Sequence, residues 1–212
     1  MTMRRKWQAI PGFLALAAAA TVVSAYSGAS SSQYNSPEQP VHYPHPRHVG
    51  AVNLKNPQAG GLGMNCLYCH YNANKSPDAG MPAVGTCMGC HTVVLGHADS
   101  SKKNIAKLTS YWNKGLPVPW VRIHKVPDYV NFPHMRHVNA GVTCQTCHGR
   151  IQNQWQVQQA ASLNMGWCIN CHVKGYNPAE GARLAGAPDS VIRMAEKEPV
   201  HKARYDCSSC HY

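Results

Sequence analysis

The stretch MGWCINCH, residues 165–172, ends in the pattern C-x-x-C-H, and this pattern decides how the chain folds. Five copies of the pattern use all ten cysteines of the 212-residue chain. The copies are CLYCH (66–70), CMGCH (87–91), CQTCH (144–148), CINCH (168–172) and CSSCH (207–211). A histidine immediately follows the second cysteine of every pair. Zinc sites usually take their later ligands from farther along the chain, and neither disulfides nor thioredoxin-like redox pairs need that histidine.

C-x-x-C-H is the attachment signature of c-type haem. Two thiols three positions apart can each form a thioether to one porphyrin edge, and the adjacent histidine then binds the iron. We therefore predict five covalently bound haem c groups. The attaching residues are Cys66, Cys69, Cys87, Cys90, Cys144, Cys147, Cys168, Cys171, Cys207 and Cys210. The proximal iron ligands are His70, His91, His148, His172 and His211.

The composition predicts that these haems form much of the core. Without its N-terminal segment the chain has fewer than 40 residues for each haem, and it contains only two Phe beside 15 Pro and 17 Gly. We expect a mainly irregular fold with short α-helices wrapped around five stacked haems. The formal charge of +11 is offset by two propionates on each haem, so we expect no nucleic-acid partner.

The N-terminus predicts a membrane anchor or a signal peptide over residues 1–26. Three basic residues at 4–6 precede an uncharged apolar stretch, and residues 7–26 as a helix span about 30 Å, enough to cross a bilayer. The alternative is a cleaved signal peptide, because Val23-Ser24-Ala25 resembles a signal-peptidase site. In both cases the haem region lies on the periplasmic, outer side.

The rest of the chain divides by motif content. We predict a linker (27–40), a haem module with two haems (41–99), a connector (100–123) and a haem module with three haems (124–212). SSKKNIAKL, residues 100–108, predicts a short helix or loop, and residues 151–162 predict a helix that leads into the fourth motif.

A histidine pair occurs twice, in YPHPRHV (43–49) and FPHMRHV (132–138). Beside haem motifs such pairs are typical of distal iron ligands. We predict that His45, His48, His134 and His137 each bind a different haem. His124 is the first choice for the fifth distal ligand, with His201 and Met165 as alternatives and Met64 as a weaker one.

Several stretches together resemble the pentahaem cytochrome subunit of alternative complex III, a bacterial membrane quinol:acceptor oxidoreductase. These are QPVHYPHPRHV (39–49), GTCMGCH (85–91), VPDYVNFPHMRHV (126–138), MGWCINCH (165–172) and the terminal CHY. The resemblance implies an N-terminal anchor helix. It also implies partner membrane subunits, including an iron–sulfur subunit beside which quinol is oxidised, and electron delivery to a periplasmic carrier or terminal oxidase. Residues 173–206 contain no motif that aligns.

Three functions compete on this sequence. The first is an electron carrier without a catalytic site of its own. The second is a membrane-anchored multihaem quinol dehydrogenase that oxidises quinol itself. The third is a multihaem enzyme acting on nitrogen compounds, which needs an open iron position and acid–base groups above it. Only nine acidic residues are present and the histidines can close every iron, so the sequence favours the first function.

Overall fold

The computed structural model describes residues 32–211. From Gln33 to Tyr212 the chain forms one contact unit. The predicted anchor and the first residues of the linker lie outside the described residues. Within residues 32–211, no helix has both the length and the apolar character needed to cross a bilayer. The division into two haem modules stays a prediction.

Short helices joined by irregular segments make up this part of the chain. The helices are α1 (His45–His48), α2 (Cys66–Cys69), α3 (Val84–His91), α4 (Asp99–Asn113), α5 (His134–Asn139), α6 (Cys144–His148), α7 (Met165–Lys174), α8 (Pro178–Ala185) and α9 (Asp189–Ala195). Two 3₁₀ turns cover Ile151–Asn153 and Cys207–Ser209. Residues 32–211 contain no extended strand, only isolated bridges between Val130 and His211 and between Tyr176 and His201. The prediction of a mainly irregular fold with short helices is confirmed.

Asparagine caps begin two of the helices that carry a C-x-x-C-H motif. The Asn65 side chain accepts a hydrogen bond from the backbone N–H of Leu67 at the start of α2. Asn164 accepts one from Trp167 at the start of α7. Such caps satisfy backbone donors that have no partner within the helix. The local sequence therefore fixes where these motif helices begin.

The apolar core seen in residues 32–211 is small and lies beside the second motif. Its buried members are Val41, Met88, Leu108 and Val118. Met88 belongs to the motif helix α3 and Leu108 to α4, so the core holds the motif against the 15-residue α4. The prediction that residues 100–108 form a short helix or loop is confirmed as a helix.

The helix predicted for residues 151–162 is wrong beyond its first turn, because this stretch pairs with the linker instead. Tyr34 donates its backbone N–H to the Gln159 carbonyl at 2.7 Å, and Gln159 donates to the Asn35 carbonyl at 3.1 Å. The buried Gln159 side chain donates to the carbonyls of Ala161 and Ser162. These bonds require an extended backbone, because in a helix the same backbone N–H and C=O groups would bond to each other within the helix.

The contact between α3 and α4 yields a stability prediction. We expect Leu108→Ala to lower the free energy of unfolding by about 2–5 kcal/mol, because the change leaves a cavity in the cluster. Chemical denaturation of the haem-loaded protein measures the change. The matched control is Leu116→Ala, at a leucine that is 52% exposed. It should change stability by less than about 0.5 kcal/mol. Equal effects at the two positions would contradict the role of the cluster.

Candidate haem-binding sites

Helical turns present the cysteine pairs. The first four pairs lie in α2, α3, α6 and α7, and the fifth begins in the 3₁₀ turn Cys207–Ser209. Side chains three positions apart on a helix lie on the same face, so both thiols of a pair point to one side. None of the ten cysteines is paired in a disulfide. This is the arrangement that two thioether bonds to one porphyrin edge require.

Three of the proximal histidines hold their rings with the same type of hydrogen bond. The Nδ1 atoms of His70, His91 and His172 contact the backbone carbonyls of Gly80, Val94 and Arg204 at 2.9, 2.8 and 2.5 Å. A backbone carbonyl only accepts, so each Nδ1 carries the proton and each Nε2 is left with a free lone pair. Metal-binding histidines commonly use this tautomer and this orienting bond.

The repeated histidine pairs form repeated structures. The Nδ1 atoms of His48 and His137 each contact the carbonyl of the proline four residues earlier, both at 3.1 Å. The His48 ring stacks on Tyr43 at 4.4 Å between ring centres, and His137 stacks on Phe132 at the same distance. The two rings are therefore held in the same way in α1 and α5.

The aromatic residue that begins each motif contacts both histidines of its pair. Tyr43 meets the His45 ring edge-to-face at 4.8 Å, and Phe132 meets the His134 ring in the same manner at 4.9 Å. These two aromatic residues were missed as site residues. The sequence did contain a pattern that indicates them, because an aromatic residue occupies the first position of both YPHPRHV and FPHMRHV.

The second histidine of each pair faces the proximal histidine of a specific motif. The ring centres of His48 and His91 are 6.1 Å apart, and those of His137 and His172 are also 6.1 Å apart. A metal–imidazole bond of about 2 Å on each side, plus the distance from each nitrogen to its ring centre, gives roughly 6 Å. Both pairs therefore have the separation of two imidazoles that bind one iron from opposite sides.

The other two paired histidines lie near the first and third motifs. Burial and then the charge on His70 lower the pKa of His45 to about 4. Burial lowers the pKa of His148 to about 3, helped by the charges of four other histidines that include His45, His70 and His134. His134 is fixed in this region because its Nδ1 contacts the carbonyl of Pro77, at 2.9 Å. The low pKa values favour neutral imidazole, the form that binds metals.

His45 gives a further test of whether these residues fit a bound group. Its Nδ1 is buried and has no hydrogen-bond partner in residues 32–211. Buried polar atoms are nearly always satisfied, so an unpaired one in a native fold calls for a specific reason. The haem c fits here, since the ring lies beside two attachment motifs. The tautomers and the facing histidine rings fit haem c at the second and fourth motifs as well.

The first and third motifs meet through their cysteines. A hydrogen bond with Cys144 lowers the pKa of the Cys66 thiol to about 6, against the effect of burial. The same contact, together with burial, raises the pKa of Cys144. On the other side of the first motif, the charge on Cys69 adds to burial in raising the pKa of Cys87. The first motif therefore lies near both the second and the third.

The remaining motifs continue from the third. Burial, followed by the charges of Cys171 and Cys168, raises the pKa of Cys147 to about 12. Burial and then the charge on Cys210 raise the pKa of Cys168. Thiols that influence each other's ionisation lie near one another. The motifs that lie near each other are therefore the second with the first, the first with the third, the third with the fourth, and the fourth with the fifth.

The candidates for the fifth distal ligand lie in three different settings. The Nε2 atom of His124 contacts the Nδ1 atom of His148 at 3.2 Å. His201 points its Nδ1 at the Ala140 carbonyl at 3.3 Å, and its ring lies 6.5 Å from that of Tyr176. Met165 is the first residue of α7 and is 64% exposed.

The proximal histidine of the fifth motif, His211, stacks on Tyr129 with 5.7 Å between the ring centres.

Comparison with known proteins supports the haem interpretation for part of the chain. Residues 136–212, which contain the third, fourth and fifth motifs, match the family model described as cytochrome c3. The match covers about a third of the 212-residue chain. This part of the chain is therefore similar to cytochrome c3.

A curated relative adds a functional context. Over 115 residues the chain is 31% identical to "Menaquinone reductase, multiheme cytochrome c subunit" of Nitratidesulfovibrio vulgaris (strain Hildenborough). The matched stretch is 54% of this chain and 48% of the relative. The chain therefore spans about half the length of the curated relative that it matches.

Proposed function

We propose that this protein is a pentahaem electron-transfer subunit. It carries electrons from a membrane quinol-oxidising complex to a periplasmic carrier or a terminal oxidase, and it has no catalytic site of its own. The observation that carries this proposal is the pair of 6.1 Å histidine separations, His48 with His91 and His137 with His172. An iron enclosed by two imidazoles has no free position for a substrate, so electron exchange is the chemistry that remains.

The chain's own residues supply orientation and tuning. When bound, haem c supplies a reversible one-electron carrier. The backbone carbonyls of Gly80, Val94 and Arg204 hold the proximal rings and raise their basicity as ligands. Tyr43 and Phe132 cover one face of the distal rings and keep water away from them. Lysines and arginines are available to pair with the propionates.

The spatial order of the motifs supports a single electron path. The Cys66–Cys144 contact joins the first and third motifs. The second motif is the neighbour of the first. The fourth motif is the neighbour of the third, and the fifth is the neighbour of the fourth. The second and fifth motifs are the two ends. Electrons enter at one end and leave at the other, so the electron donor and the electron acceptor dock at opposite ends of the series.

Membrane association and partners belong to the same proposal. Residues 1–26 anchor the chain, with the haem region on the periplasmic side, and the partners are membrane subunits that include an iron–sulfur subunit. The resemblance to the alternative complex III cytochrome supports this assembly. The relative's name, a subunit of a menaquinone reductase, supports a quinone-linked complex.

A second candidate is the same electron path running towards a quinone. The name of the relative favours it, because that protein's complex is called a reductase of menaquinone. A third, a chain that oxidises quinol itself, requires a quinol site close to the anchor. The direction of flow separates the first two candidates, and activity of the isolated chain with quinol separates the third.

Purification from native membranes in mild detergent tests the proposed function. We expect the chain to retain five haems by intact mass and to co-purify with large membrane subunits and an iron–sulfur protein, identified by mass spectrometry. A purification from untagged cells is the control for non-specific recovery. We also expect a quinol to reduce the haems of the complex. Recovery of the chain alone, still active with quinol or with nitrogen oxyanions, would contradict the proposal.

A further inference from the structure

His148 is held differently from three of the other proximal histidines. His70, His91 and His172 direct Nδ1 to a backbone carbonyl, whereas His148 directs Nδ1 to the Nε2 atom of His124 at 3.2 Å. The two rings are 4.2 Å apart between centres and inclined at 72°. His148 thus has a side-chain acceptor in the position where these three sites have a main-chain acceptor.

The geometry does not suit two ligands of one iron. The imidazole pairs that can enclose an iron have ring centres 6.1 Å apart, and 4.2 Å leaves no room for a metal between the rings. In addition, the Nε2 of His124 is already directed at the neighbouring ring. The nitrogen with which His124 would bind an iron is therefore used in this contact.

We infer that His124 is a positioning residue of the third haem site, accepting a hydrogen bond from the proximal His148, and not an axial ligand. This inference rests on the proposed attachment of haem at residues 144–148. It changes the role predicted for His124 from its sequence position. It leaves His201 and Met165, with Met64 as the weaker alternative, as the candidates for the fifth distal ligand.

The surroundings suit this role. An iron bond at the Nε2 of His148 requires the proton on Nδ1, which then donates to the lone pair of His124. The backbone on both sides of the contact is fixed, since Arg122 donates to the His124 carbonyl and Gln154 donates to the His148 carbonyl, each at 3.2 Å.

The contact has a consequence for the potential of one haem. A hydrogen bond from Nδ1 gives the bound ring more anionic character and makes it a stronger donor to iron. A stronger donor favours the oxidised iron and lowers the midpoint potential. Without the acceptor, the midpoint potential of the third haem should rise while the spin state is kept.

The test compares His124→Leu with His124→Gln in the full chain. We expect all haems to remain low-spin by electron paramagnetic resonance and carbon monoxide binding to stay at the level of the unmodified protein. In redox titrations one midpoint potential should rise in the leucine variant. It should rise less in the glutamine variant, whose side-chain oxygen can accept. His97→Leu, at an exposed histidine, is the matched control and should shift nothing.

Two results would overturn the inference. One new high-spin haem that binds carbon monoxide in His124→Leu would make His124 an axial ligand. Unchanged potentials with every haem low-spin would remove its positioning role. If the leucine variant is not loaded, His124→Ala, which also lacks a hydrogen-bond acceptor, gives the same two readouts. Haem number by intact mass is measured first, so that a failure of the attachment proposal is seen separately.

Discussion

Replacing His137 with alanine will leave every haem attached and will convert one of them from low-spin to high-spin. His48→Ala will do the same at a different haem. The reason is the 6.1 Å separation of each ring from a proximal histidine, His172 for His137 and His91 for His48. Loss of one imidazole opens a coordination position, so the altered haem should also bind carbon monoxide. Its midpoint potential should rise, because a strong donor has been removed.

Three measurements check this expectation. Intact mass reports the number of haems, electron paramagnetic resonance reports the spin states, and a redox titration reports the potentials. We expect the combined variant of His48 and His137 to contain two high-spin haems, since the two sites use different irons. The exposed His97→Ala is the matched control and should leave all spectra unchanged. A wholly low-spin spectrum for His137→Ala would refute the assignment of that ring.

Removing the third haem with Cys144→Ala and Cys147→Ala will separate the remaining haems into two groups. The first and second haems would stay in contact with each other, as would the fourth and fifth. The reason is the order of the motifs, in which Cys66 of the first motif touches Cys144 of the third. Electron exchange between the two groups should become slower by orders of magnitude, with four haems still attached.

The control removes an end of the series. Cys207→Ala with Cys210→Ala also takes away one haem, but the other four should still exchange electrons rapidly. Both variants are reduced with less than one equivalent of reductant, and freeze-quenched samples report which ferric signals disappear over time. Equal exchange rates in the two variants would contradict the proposed order. Haem number and low-spin signals of the remaining sites show whether each variant is folded.

Covalent chemistry made the attachment sites and the paired histidines predictable. Two thioether bonds beside a ligand histidine require the fixed spacing C-x-x-C-H. YPHPRHV and FPHMRHV also have a fixed spacing, with the two histidines that we predict as distal ligands three residues apart. The structure repeats the two pairs closely, down to the stacked aromatic ring and the proline carbonyl. Local sequence determines these features, because all the groups involved lie within one or two helical turns.

Contacts between distant segments could not be predicted in this way. Which proximal ring faces His48 depends on how α1 approaches α3, and no local pattern encodes that approach. The contact of His124 with His148 joins residues 24 apart through an irregular segment. The helix predicted for residues 151–162 was wrong for the same reason, since its partner is the linker segment around Tyr34 and Asn35.

The small core has a consequence for biogenesis. Only nine hydrophobic side chains are buried in residues 32–211, and the five outside the cluster around Met88 and Leu108 are four alanines and one tyrosine. Such a core buries too little apolar surface to offset the entropy lost on folding. We therefore expect the polypeptide without its haems to stay open, with its cysteines accessible for haem attachment. Attachment and folding would then be one coupled process.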